Sequence, residues 1–308
     1  MPVQELSGIL IVNKPQGITS HDVVARVRRI TGVRKVGHAG TLDPMATGVL
    51  LLCLGQATRV SEYLMDSDKV YLARIRLGIT TDTYDADGQV TSQADATGVS
   101  RGDLERELAR LVGRLEQTPP MYSAVKHEGV PLYRIARRGK TVERQPRPVE
   151  VQAVDLIKWS PPEAEIRIQC GKGTYVRALA HELGQRLGCG AHLTGLIRTA
   201  SGRFQIEQSH TLEDIARVFA EGQDSRLLLP MDVALEAFPA VTVDPQTAKK
   251  ITSGEQVQLS AATAAWSCSD FATAATLCRA YTEDGQLIAV LRCQGDVLWR
   301  PHKVFAVT

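Results

Sequence analysis

Residues 37–59 read GHAGTLDPMATGVLLLCLGQATR, and the frame of the whole chain follows from them. The run Val49 to Leu54 is short, apolar and bounded by Gly48 and Gly55, the pattern of a strand buried on both faces. The loop before it, with Gly37, Gly40 and Gly48 around Asp43-Pro44, is therefore anchored at the edge of a core. Proline fixes its own φ and biases the residue before it toward an extended backbone, so Asp43 is held in place while poorly solvated. A carboxylate in that setting can act as a nucleophile, its reactivity set by apolar surroundings or a partner cation. The competing reading of a bare Asp-Pro is a turn cap.

On the N-terminal side, residues 8–13 (GILIVN) form an apolar strand that runs into the turn-forming Lys14-Pro15-Gln16-Gly17. Thr19 or Ser20 caps a helix starting near His21, with Val23, Val24 and Val27 as its apolar face. Arg26, Arg28, Arg29, Arg34 and Lys35 face only Asp22 across residues 21–35, a local charge of +4. Such clusters are usually solvated faces, but this one immediately precedes the Asp43 loop.

On the C-terminal side a helix is expected over 56–65, then a strand over 69–78, where apolar and basic residues alternate around Tyr71. Residues 80–88 (TTDTYDADG) have the look of a calcium loop, yet aligning the glycine puts Thr83 at the first ligand position and Ala94 at the last, so the segment reads as an acidic turn. A helix is expected over 101–114. Residues 126–147 carry seven basic side chains against Glu128 and Glu143, with Tyr133 interleaved. That composition suits an exposed arm gripping a nucleic-acid backbone, a solvated insertion being the alternative. Residues 150–157 and 164–170 read as a strand pair, followed by a Gly-rich turn and a helix ending near Leu187-Gly188. The Walker pattern is absent there, and Gln185 stands where a zinc-protease motif starting at His181-Glu182 needs histidine. His192 reads as structural. From Val241 come a strand, a helix over 246–252 and strands near 255–259, 276–282, 286–293 and 303–307, a small β domain.

The chain of 308 residues has 44% hydrophobic and 23% charged residues, ordinary for a folded protein of one large and one small domain. A net charge of +2 is too small to announce a nucleic-acid partner by itself. The six cysteines lack a CxxC pair and are expected to be reduced thiols. No secretory leader and no apolar run near the bilayer-spanning length of roughly 20 residues is visible, so a soluble cytoplasmic protein is expected.

The word from Gly37 to Gly48 closely resembles the catalytic motif of the TruB family of tRNA pseudouridine synthases. Three further stretches resemble family motifs in the same order: Asn13 to Gly17, Gly173-Thr174-Tyr175-Val176-Arg177, and Ala191 to Gly202. The resemblance covers nearly the whole chain and implies an α/β (α+β) catalytic domain over 1–237, built on a mixed, largely antiparallel sheet. It implies a basic thumb insertion at about 122–148 that closes over the T arm of tRNA, and a C-terminal β-barrel-like PUA domain over 238–308, with the Ala/Thr-rich segment 261–276 departing from a compact PUA pattern. The implied activity is isomerisation of uridine 55 in the T loop to pseudouridine, with the base flipped into the site, no cofactor and no metal. Asp43, Tyr71 and Arg177 take the catalytic positions, Arg177 pairing with Asp43 and Tyr71 lying against the uracil. Lys14, His38, Tyr175, Leu196, Arg137, Arg138 and Lys140 are expected at the substrate-binding surface, Lys14 supporting the loop and Leu196 packing at the base. A monomer acting on tRNA without a protein partner is expected. The rivals are a noncatalytic RNA-binding protein and a relative acting on other RNA under a guide.

Overall fold

The computed structural model describes residues 6–223, 226–259, 277–295 and 297–305. Strand β1 (Gly8–Lys14) leads into helix α1 (Ser20–Thr31), capped by Thr19, whose side chain accepts from the Asp22 N–H while Asp22 accepts from the Thr19 N–H. Such a reciprocal cap is worth about 1 kcal/mol. Strands β2 (Val36–His38) and β3 (Thr47–Leu54) flank the loop that carries Asp43. Where one helix was expected over 56–65, a 3-10 turn (Gly55–Val60) precedes the short α2 (Ser61–Met65), neither having a side-chain cap.

The expected strand is β4 (Lys69–Leu77), and a hairpin of β5 (Ile79–Thr81) and β6 (Val90–Gln93) encloses the acidic turn. Helix α3 (Arg101–Ala109) ends earlier than its periodicity predicts, because Gly113–Gln117 leave the helix to form β7. The basic segment holds the small hairpin β8 (Lys126–His127) and β9 (Val130–Pro131) and the helical turn α4 (Leu132–Ala136). Next come β10 (Arg147–Ser160), β11 (Glu163–Cys170), α5 (Val176–Arg186), β12 (Ala191–Ser201), β13 (Phe204–Gln205), α6 (Leu212–Ala220) and β14 (Leu228–Leu229). The remainder forms β15 (Ala240–Val243), α7 (Pro245–Thr252), β16 (Val257–Gln258), β17 (Leu277–Thr282), β18 (Leu287–Gly295) and β19 (Leu298–Val304).

The large sheet has ten strands in the order β14-β1-β3-β12-β4-β11-β10-β7, with β2 on β3 and β13 on β12. Every pairing is antiparallel except β3 with β12, so the mixed, largely antiparallel sheet implied by the resemblance is what forms. Because side chains alternate along a strand, β3 serves two cores. Leu50, Leu52 and Leu54 join Leu10 and Val12 under α1, α5 and α6, while Val49, Leu51 and Cys53 join Ile9 and Ile11 on the opposite face. β12 is bulged between Leu193 and Gly195, which returns Leu196 to the helix-covered face already occupied by Leu193.

The smaller sheet runs β15-β17-β18-β19-β16, and its end strands do not pair with each other among the described residues. One face packs on α7 around Trp299, Ile251 and Ile288. The other puts Leu287, Val290 and Phe305 into the same apolar cluster as Ile9, Leu51 and Leu235, backed by Lys303 Nζ at 3.1 Å from Glu62. The last strand ends at Val304, earlier than expected, and segment 261–276 lies outside the described residues. Cys53, Cys170, Cys189 and Cys278 are free and buried as expected, whereas Cys293 is disulfide-bonded, a tertiary pairing that sequence spacing without a CxxC does not reveal. No helix among the described residues is long and apolar enough to cross a membrane.

Candidate active site

The loop around Asp43 is pinned from several sides before its carboxylate is considered. Ser20, the first residue of α1, donates through Oγ to the Leu42 carbonyl and accepts from the Leu42 N–H, at 3.1 and 2.9 Å. The Gly17 N–H donates to the Pro44 carbonyl at 2.9 Å, and the Ala46 N–H closes a turn on the Asp43 carbonyl at 3.1 Å. Lys14 continues the Leu10 and Val12 face of β1, so its side chain runs under the loop and is wholly buried. Its Nζ donates to the carbonyls of Pro15 and Pro44, at 2.9 and 3.3 Å. Burial drives its pKa down to about 8 against the opposing pull of Asp43. Lys14 thus braces the loop from within.

Arg177 meets Asp43 from the first turn of α5. Its Nη2 donates to Asp43 Oδ1 at 3.2 Å, and its Nε lies 3.0 Å from Oδ2. That second approach is too bent for a hydrogen bond and is an ion contact. Nη2 also donates to the Tyr122 carbonyl and Nη1 to the Thr83 carbonyl. The Arg177 side chain is 4% exposed and that of Asp43 30%, so the cation is sealed while the carboxylate keeps an open side. A cation in the first turn of a helix works against the helix dipole, so this placement depends on its acceptors rather than on α5.

Tyr71 and Leu196 are buried on the helix-covered face of the sheet, in the cluster that contains Leu42 and Met45 on either side of Asp43. Burial pushes the Tyr71 hydroxyl above its ordinary pKa, and the charge of Arg198 opposes that rise. Tyr175 precedes α5, and its ring centroid is 5.8 Å from the Arg177 guanidinium. His38 is half-buried on β2 with its ring 5.6 Å from that of His21, and burial holds its pKa below the usual value. Lys14, Asp43 and Tyr175 therefore meet at Arg177 and the loop, Tyr71 and Leu196 share the apolar cluster of Leu42 and Met45, and His38 is placed on β2 by its contact with His21, whereas no hydrogen bond or ion pair among the described residues joins Arg137, Arg138 or Lys140 to Asp43. Those three are exposed on the basic segment, Arg137 standing 5.6 Å from the Tyr133 ring centroid.

Sequence reasoning passed over three residues. Asp85, read as part of an acidic turn, is buried and lies 3.8 Å from Arg177 Nη1. Thr83 Oγ1 donates to its carboxylate at 2.5 Å and the Asp87 N–H at 3.2 Å. Burial raises its pKa, which these donors and Arg177 oppose. Nothing in TTDTYDADG marks which carboxylate turns inward. Gln117, at the end of β7, holds Tyr175 like a strand partner, accepting from its N–H at 2.8 Å and donating to its carbonyl at 3.1 Å. Arg198, two residues past Leu196, is sealed behind the loop. No group of three His, Cys, Asp or Glu among the described residues is disposed to hold a metal ion.

The TruB family pseudouridylate synthase N-terminal domain matches residues 28–176, and the tRNA pseudouridylate synthase B C-terminal domain matches 177–236. A tRNA pseudouridine synthase B of Dehalococcoides mccartyi is 40% identical over 300 residues, 97% of each chain. One from Pseudomonas aeruginosa is 46% identical over 258 residues, 83% of this chain and 84% of that one. Among solved structures, a chain from a crystal structure of a Cbf5-Nop10-Gar1 complex aligns with a TM-score of 0.74 at 27% identity, over 97% of this chain and 85% of that one. With both family domains matched in order and a relative 40% identical over 97% of each chain, the chain belongs to the TruB family of tRNA pseudouridine synthases, which are isomerases.

Proposed function

We propose that this chain converts uridine 55 in the T loop of tRNA to pseudouridine, with Asp43 as the reacting carboxylate. The observation that carries the reading is the Asp43–Arg177 pair: a partly exposed carboxylate aimed by a sealed guanidinium. The reaction breaks the bond from uracil N1 to ribose C1′ and joins C5 to the same carbon. The C5 proton leaves and N1 gains one, so atoms balance without an oxidant, a reductant or a cofactor. Attack on the ribose, attack on uracil and elimination to a glycal all begin at a carboxylate beside the nucleoside, and Asp43 supplies it. Arg177 offsets its charge and limits its rotation.

A stacked loop uridine is out of reach, so the base is flipped out at a cost of a few kcal/mol. Tyr71 and Leu196 form the apolar walls that receive it, and His38 and Tyr175 stand at the rim. Residues 1–237 act as the catalytic domain, with the insertion at about 122–148 gripping the T arm through Arg137, Arg138 and Lys140. Residues 238–308 act as a PUA-like RNA-binding domain. The protein works on tRNA in the cytoplasm as a monomer, without a protein partner; its similarity to proteins named tRNA pseudouridine synthase B supports the tRNA substrate.

The test is Asp43→Asn, which keeps shape and removes the reacting charge. Pseudouridine formation in a T-arm RNA is expected to vanish while the RNA still binds. Substantial turnover by the pure variant would overturn the reading.

A further inference from the structure

Arg198 is 1% exposed, and among the described residues no carboxylate lies within ion-pair distance of it. Burying a cation without a counter-charge is costly, and a neutral donor would serve to tie two strands together. Its three hydrogen bonds to backbone carbonyls among the described residues fall on the stretch that carries Asp43. Nε donates to the Val49 carbonyl at 2.6 Å, Nη2 to that of Gly40 at 3.1 Å and Nη1 to that of Thr41 at 3.4 Å. One planar group therefore closes residues 40 to 49 into a loop, holding the backbone on both sides of Asp43.

Its own backbone is fixed just as tightly. Arg198 pairs with Tyr71 of β4 on one side and with Gly48 of β3 on the other. Gly48 has φ 97°, and a Cβ there would collide with the Arg198 carbonyl. The charge of the guanidinium opposes the rise that burial gives the Tyr71 hydroxyl pKa and adds to the lowering of that of Lys14.

We propose that Arg198 is a positioning residue for the isomerisation, stapling both ends of the Asp43 loop and setting that loop against Tyr71. This rests on the assignment of Asp43 as the reacting group. Lysine in its place keeps the charge but reaches one carbonyl where the planar fork reaches three, and methionine keeps the bulk alone. A merely structural arginine would lower the melting temperature of both variants and leave the rate per folded molecule unchanged.

The experiment compares Arg198→Lys, Arg198→Met and Asp43→Asn in the full chain. It measures the single-turnover rate on saturating T-arm RNA, the Kd for that RNA and thermal melting. Arg198→Lys is expected to fold, to bind RNA within about twofold of wild type and to react more slowly by on the order of 100-fold, the effect of misplacing a reacting group by about 1 Å. Arg198→Met is expected to be as slow or slower. Wild-type rates in folded Arg198 variants, a loss confined to Kd, or unfolding of both variants would each overturn the proposal. An active Asp43→Asn removes the Asp43 assignment and this proposal with it, whereas an inactive Asp43→Asn beside a fast Arg198→Lys removes this proposal alone.

Discussion

At the scale of single residues, the site is a set of buried charges whose partners lie far apart in sequence. Arg177 begins a helix that disfavours it and serves Asp43, Asp85 and the carbonyls of Thr83 and Tyr122. Arg177→Lys keeps one positive charge and loses the fork, at a cost of about 1.5 to 3 kcal/mol for a charged hydrogen bond. The single-turnover rate should fall by roughly tenfold or more. Because two loop carbonyls also lose their donor, thermal melting should record a lower melting temperature, a stability role not visible in the sequence motif. Lys14 gives a pH signature. Its folded pKa is about 8 against an ordinary 10.5, so the folded state carries a charge penalty below pH 8 that the unfolded chain does not. As pH rises from about 8 to 10.5 the folded lysine loses its proton first and the penalty disappears. The stability of wild type relative to Lys14→Met should therefore increase across that window, by up to about 3 kcal/mol. Chemical denaturation at several pH values checks it, and a flat difference would mean that Lys14 is not desolvated in the folded protein.

At the scale of elements, the strand readings held where alternation was strong. β4 shows buried residues at every second position from Lys69 to Leu77, following the apolar pattern from Tyr71 to Leu77, whereas Lys69 is buried against its polarity. The helix expected over 101–114 failed at its end because the stretch after Ala109 is recruited as the edge strand β7, pairing Gly113–Gln117 with β10. Propensity is a local quantity, and this edge is decided by a strand thirty or more residues away in sequence. The basic segment keeps Leu132 buried and exposes Arg137, Arg138 and Lys140 around the α4 turn. Replacing all three with alanine should weaken RNA binding and flatten its salt dependence, each lost phosphate contact reducing the slope by roughly 0.7 to 0.9. Titrations at several salt concentrations measure this, and an unchanged slope would leave the segment a solvated face.

At the scale of the whole molecule, the ten-stranded sheet is covered by helices on the site's face and by the smaller sheet on the other, where both share one apolar cluster. Phe305 is buried in that shared cluster. Phe305→Ala should cost about 3 to 5 kcal/mol and lower the melting of the large sheet as well as the small one. Calorimetry showing only a separate, smaller transition moved would break this coupling. What the sequence determined by itself was local. The apolar run 49–54, the Asp-Pro turn, the Thr19 cap and the alternation in β4 each follow from a few adjacent residues, and the four motifs named the family. What only the tertiary structure decided was which buried charges meet. Asp85 and Arg198 look like ordinary polar residues until β4, β12 and the parallel contact with β3 bring them to Arg177 and to the loop. The bulge that turns Leu196 toward the site shifts strand register, and its effect shows only against the neighbouring strand. Desolvation and register depend on what surrounds a residue in space, and a one-dimensional spacing carries neither.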